Sequence, residues 1–341
     1  MLQSLIEFKD RFREQLLLFL WRQWDALGVQ GYEESNDRWV IDPESLLLFS
    51  CTMARYDSRL FDEILDWLYV NGDFINVQRL QTILKKEEFS SGVVISSVAG
   101  FMSEHHKYLK WEKLSQNYIG TTPVENLFLL NDIRSDDSIN RVDPIFQKYG
   151  LSRGLISLRK HTQPVRGDSS RTLLFKLRAL LGVNIRCEIL LFLLTHQDGA
   201  HPKWIANETC YSQKAVQDTL IDMTYSGLIQ VFNIGREKRY LLKPNEWFSF
   251  LKLSGDNPPW VSRRSKISSL EKIWVRLNQG NFQTIDPLLL SSNLRSLMLE
   301  VRGKIQLAGF APVISDDRLY LGENYTNIFM RDINEFLKGS K

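Results

Sequence analysis

Residues 177–242, LRALLGVNIRCEILLFLLTHQDGAHPKWIANETCYSQKAVQDTLIDMTYSGLIQVFNIGREKRYLL, constrain the fold of this chain more than any other stretch. Ile185, Ile189, Leu190, Leu193 and Leu194 recur at helical spacing and give one apolar face. The segment from His196 to His201, with Gly199 inside and Pro202 after it, breaks that helix. Trp204, Ile205 and Ala206 give a short second helix something to bury. After a turn at Cys210 and Tyr211, Ser212 is placed to cap a third helix by accepting a backbone N–H. Ala215, Val216, Thr219, Leu220 and Met223 line the inner face of that helix, and Gln213, Lys214, Gln217 and Asp218 line the outer one. Gly227 supplies the left-handed residue on which many helices end. Leu228 to Phe232 and Arg239 to Leu242 then pair as two strands across Asn233 to Lys238.

This order predicts a winged helix-turn-helix. It resembles the ArsR-like and MarR-like bacterial transcriptional regulators through a serine cap with valine four residues on (Ser212, Val216). An SGLI strand start at 226–229 and the wing residues Gly235, Arg236, Tyr240 and Leu242 complete the likeness, which is confined to residues 177–242. The resemblance implies a partner, double-stranded DNA. The third helix would enter the major groove, with Gln213, Lys214 and Gln217 at base edges. Ser212 and the free amides of the helix start would meet a phosphate, and Tyr211 would add a hydrogen bond to one. Arg236, Lys238 and Arg239 would touch the backbone or the minor groove. Asp218 and Glu237 subtract from that attraction. Asp218 is spaced to accept from a cytosine amine or to pair with Lys214 one turn earlier.

Charge distribution agrees with this placement. The whole chain of 341 residues carries only +3. Between Arg171 and Lys243, however, ten Lys/Arg face six Asp/Glu, a local +4, whereas Asp42 to Asp73 holds seven acids against Arg55 and Arg59, a local −5. A polyanion suits the middle of the chain and not its beginning. With 43% hydrophobic and 24% charged residues the composition is globular, and the length suits two or three domains. The expected division is a helical N-terminal domain for interaction or dimerisation (1–150), a basic connector (151–170), the winged helix-turn-helix (171–254) and a helical C-terminal domain (255–341). The fold class is mainly α.

In the first region, Ile6 to Leu27 reads as one long helix ending at Gly28, and Asp42-Pro43 and Asp57 start two more. Val77, Leu80, Ile83 and Leu84 make a fourth. The acidic balance here favours a packing or dimer surface. Arg153, Arg159, Lys160, Arg166 and Arg171 in the connector read either as a solvated linker or as an arm reaching phosphates. After a boundary at Gly255 to Pro259 comes a basic cluster, Arg263, Arg264 and Lys266. Helices around Leu270 to Leu277, from Asp286-Pro287, and over Ile328 to Leu337 follow, with a hairpin expected at Ala311 to Leu321.

Catalytic signatures are missing from the sequence: no phosphate-binding glycine loop, no H-E-x-x-H and no nucleophile elbow. The expected class is therefore a non-enzyme without a cofactor. Cys51, Cys187 and Cys210 have no ligand or disulfide spacing, and Cys187 falls on an apolar helix face as a core residue. His105-His106 are adjacent and diverge on a helix, and Asp132, Asp136 and Asp137 read as loop caps, so no metal site is expected. The run Leu16 to Trp21 is too short to span a bilayer and acids precede it, so a cytoplasmic protein is expected. The function expected is a sequence-specific transcriptional regulator, acting as a homodimer. The alternative is an adaptor or antitoxin-like protein whose winged helix serves partner binding or autoregulation.

Overall fold

The computed structural model describes every residue except 1, 30–38, 107–108, 119–123, 131–141, 197, 253–260, 281–285, 311–313, 317–321 and 339–341. The expected boundary at Gly255 to Pro259, Asp132, Asp136 and Asp137, and most of the expected 311–321 hairpin lie outside the described residues. Among the described residues the architecture is mainly helical with two small two-stranded sheets.

Helix α1 (Leu2–Asp25) precedes α2 (Pro43–Met53) and α3 (Ser58–Asn71), whose caps are aspartates: Asp42 accepts from the Ser45 N–H and Asp57 from the Leu60 N–H. Asn76 caps α4 (Val77–Lys86) in the same way. Each side chain satisfies an amide that the helix itself cannot. Then follow α5 (Gly92–His106), α6 (Leu109–Ser115), strand β1 (Glu125–Asn126), α7 (Pro144–Gln147) and β2 (Leu151–Ser152), which pairs parallel with β1. The middle of the chain holds α8 (Leu173–Leu181), α9 (Ile185–Thr195), α10 (Pro202–Thr209) and α11 (Gln213–Thr224). An antiparallel hairpin of β3 (Ile229–Ile234) and β4 (Glu237–Leu242), then α12 (Pro244–Phe250), complete it. Helices α13 (Arg263–Gln279), α14 (Pro287–Leu307) and α15 (Tyr325–Lys338) close the chain.

Two apolar cores organise these elements, and their membership corrects the expected domains. Residues 1–150 and 255–341 are not separate: they share one core, with α13 packed across α2 and α14, and α1 against α15. Phe12 of α1 lies 6.4 Å from Trp274 of α13, and Phe8 meets Phe329 edge-on at 6.4 Å. Trp24 and Trp67 meet edge to face at 5.0 Å, and their indole N–H groups donate to the Ser50 hydroxyl and the Leu27 carbonyl. Such partners are what a buried indole requires. The second core is built from α8–α12 and the hairpin together with Val40, while Phe175 of α8 and Cys210 belong to the first.

Several acids of the N-terminal stretch are answered by cations and amides within the chain. Asp62, Glu63 and Asp66 on α3 receive the connector. Asp66, almost fully buried, accepts from the backbone N–H groups of Lys160, His161 and Thr162 and from the Thr162 hydroxyl. Arg153 donates to Asp62 at 2.7 Å and lies within 6 Å of the rings of Phe61, Phe128 and Phe146. Arg159 pairs with Glu63 at 3.6 Å, Lys160 sits over Tyr69, and buried Arg171 donates to the Arg22 carbonyl. Arg153 and Arg171 of the connector are buried, whereas Arg159, Lys160 and Arg166 stay exposed. The connector is a strap held by opposite charge.

The basic cluster at 263–266 has likewise been drawn inside. Helix α13 starts at Arg263, earlier than the apolar spacing predicts, and carries Arg264 onto Glu87 and Lys266 between Trp39 (4.0 Å) and Phe310 (4.7 Å). All three cysteines are buried thiols, Cys187 on α9 among them. His105 stacks on Phe101 with its Nδ1 2.9 Å from that residue's carbonyl. No helix among the described residues is long and apolar enough to cross a membrane.

Candidate nucleic-acid interface

The unit from α9 to β4 is assembled as the local sequence dictates. Pro202 opens α10 and His201 caps it by accepting from the Lys203 N–H. The turn from α10 to α11 passes through Cys210 at φ +61°, a left-handed position filled without glycine. Ser212 Oγ accepts from the Ala215 N–H at 3.2 Å and caps α11. Val216 and Leu220 are fully buried, while Ala215, Thr219 and Met223 are half-buried. Gln213, Lys214, Gln217 and Asp218 form the exposed face.

The hairpin is longer and tighter than expected. Ile234 pairs with Glu237, so the turn is only Gly235-Arg236, with Gly235 at φ +60° where a side chain would be strained. Ala200 adds a short third edge by exchanging backbone hydrogen bonds with Tyr240 at 2.9 and 3.0 Å. That edge explains Gly199. Its φ is +69°, and a Cβ there would come within 2.9 Å of the Tyr240 carbonyl oxygen and 3.0 Å of the Phe232 ring. Gly199→Ala is expected to destabilise this unit by about 1–3 kcal/mol, read as a lower denaturant midpoint at unchanged m-value.

The expected contact residues fall into three groups. Ser212, Gln213, Lys214 and Gln217 lie together at the start and outer face of α11, and Arg236 and Lys238 are exposed at the hairpin tip. Arg239 is half-buried opposite Phe232, with its guanidinium 4.0 Å from Glu237, so part of its charge is answered within the chain. Tyr211 differs from expectation. Its hydroxyl accepts from Asn76 Nδ2 at 2.7 Å, which turns the side chain toward α4 and away from the exposed face of α11. The expected pairing of Asp218 with Lys214 does not form; on α11 it is Asp222 that meets a cation, Arg186 at 3.6 Å.

What holds this unit against the rest of the molecule does not follow from spacing. Arg178 of α8, fully buried, grips both oxygens of Glu44 at 2.7 and 3.0 Å and reaches Glu188 of α9 at 2.5 Å and the Phe74 carbonyl at 2.6 Å. Arg79 of α4 bonds both oxygens of Asp42, at 2.9 and 2.6 Å, and one of Glu44 at 2.5 Å, and donates to the Thr209 carbonyl at the end of α10. Burial raises the Asp42 carboxyl, but the charge and paired hydrogen bonds of Arg79 outweigh that and hold it far below the usual carboxylate range. Three acids and two arginines thus join α2, α4, α8 and α9.

The docking also sets a cation of α4 against α10. Lys86, in the last turn of α4, donates to both the Asn207 carbonyl and its Oδ1, at 3.0 and 2.7 Å. Lys203 is exposed on the first turn of α10 next to Trp204. Only the exposed, basic end of α4 signals Lys86 in the sequence. No family model, no curated protein and no solved structure matches this chain.

Proposed function

We propose that residues 173–251 form a winged helix that binds double-stranded DNA, with α11 in the major groove and the hairpin on the backbone, and that the protein is a sequence-specific transcriptional regulator. One observation carries the reading. Helix α11 buries Val216 and Leu220 completely while Gln213, Lys214 and Gln217 stay exposed beside a hairpin tip bearing Arg236 and Lys238. Amides and ammonium groups of this kind meet base edges, and exposed guanidinium groups meet phosphates. The third edge at Ala200 and the capped start of α11 at Ser212 are further support.

The test is binding of the full chain to mixed-sequence duplex and to its own upstream region across a salt series. Affinity should fall steeply with salt. In the Arg236→Ala, Lys238→Ala double variant the slope of log K against log salt should shrink by about 0.9 for each phosphate that is no longer neutralised. Gln217→Ala should leave mixed-sequence binding intact and lower the preference for the upstream site by about 1–3 kcal/mol. Absence of binding at low salt overturns the reading.

A second reading has its own support. Ile221, Tyr225 and Leu228, at the end of α11 and its exit, are 40, 85 and 48% exposed. Apolar surface of that kind suits a partner protein more than a phosphate backbone. Co-purification of a partner that is lost in Tyr225→Ser, together with no duplex binding, would favour an adaptor.

A further inference from the structure

The docking of α10 on α4 leaves an open groove of about 660 Å³ that runs from the hairpin, at Glu237, to Lys86. Lys203 and Trp204 form its wall on α10, and Tyr211, the residue leading into α11, lies along it. We infer that this groove seats the phosphodiester backbone of a bound duplex, with Lys86 and Lys203 as its phosphate contacts. The inference rests on the DNA-binding reading above and adds to it a contribution from outside the winged helix.

Geometry supports each part. An ammonium has three protons, and Lys86 commits two hydrogen bonds to Asn207, which fix its head at the groove and leave a third donor for a ligand. Burial and the nearby Arg264 both disfavour its charged form, so a phosphate would restore what the site lacks. Lys203 is exposed and forms no ion pair among the described residues. Trp204 is 43% exposed and pinned edge-on by His196, at 4.6 Å, and Phe192, at 5.2 Å. A fixed indole beside two cations is a wall against which a deoxyribose can pack. Glu237 opposes them from the hairpin side, so the groove is cationic only on balance. The groove opens beside the wing at Glu237 and reaches Tyr211, the residue preceding Ser212, so it adjoins both elements of the proposed interface.

The experiment measures affinity of the full chain for the mixed-sequence duplex as a function of salt. Lys86→Ala and Lys203→Ala should each lower the slope by about 0.9, Lys86→Arg should retain the wild-type slope, and Glu237→Gln should tighten binding. Lys203 is exposed, so its variant reads the groove even where Lys86→Ala disturbs Asn207. Wild-type slopes in both alanine variants, with wild-type protein binding normally, overturn the groove and leave the winged-helix reading standing. Failure of the wild-type protein to bind overturns both.

Discussion

Arg178→Met is expected to destabilise the fold by about 3–5 kcal/mol, the range for removing one partner of a buried ion pair. The substitution leaves Glu188 buried without the guanidinium, leaves Glu44 with Arg79 alone, and strands the Phe74 carbonyl. Denaturant unfolding checks it, and the more telling arm is the compensated variant. Arg178→Met combined with Glu188→Gln should recover part of the loss, because the cost lies in uncompensated charge more than in lost packing. Equal loss in single and double variants would show that Arg178 acts through packing alone. The same network makes the fold acid-sensitive. Since the Asp42 carboxyl is held below its unfolded value, its contribution is complete above about pH 4 and is lost as pH falls below that. Unfolding free energy should therefore drop steeply below about pH 4, and less so in Asp42→Asn.

Asp66→Ala should free the connector. Its carboxylate gathers three backbone N–H groups and one hydroxyl from residues 160–162. Deleting the acceptor leaves donors that water can satisfy only if the strap lifts, at a cost of about 1–3 kcal/mol. Hydrogen exchange of the amides at 160–165 and proteolytic nicking between Leu155 and Gly167 should both rise while the cores stay protected. Duplex affinity should not change, since the proposed contacts lie on α11, the hairpin tip and the groove between α4 and α10, and none on the connector. A fall in affinity in Arg159→Ala would instead restore the connector as a phosphate-contacting arm.

Much of the local structure is legible in the sequence. The caps at Asp42, Asp57 and Ser212, the proline starts at Pro43 and Pro287, and the inner faces of α9 and α11 follow from spacing and from single side chains that satisfy helix-end amides. The exposed faces carrying Gln213, Lys214, Gln217, Arg236 and Lys238 are legible for the same reason: a residue's face is set by its own helix or strand. Tyr211 is not, because its orientation depends on Asn76, 135 positions earlier in the chain.

Charge is legible as composition and misleading as surface. The acids of the N-terminal stretch and the cations of the connector and α13 read as separate groups, yet each finds opposite charge in the folded chain: Glu44 meets Arg79 and Arg178, Asp62 meets Arg153, and Arg264 meets Glu87. Local periodicity says which side of an element is apolar, and it says nothing about which distant element will cover a charged side. Sequence by itself thus determined the capped helix starts at Asp42, Asp57, Ser212 and Asp286 and the helix-helix-hairpin order, since each rests on hydrogen bonds and faces within a few residues. Tertiary structure alone decided that the two ends of the chain share one core, that Arg178 and Arg79 join α8 and α10 to α2 and α4, and that Lys86 stands beside α10. Those pairings join residues far apart in the chain, and only the packed fold brings their charges within hydrogen-bond reach.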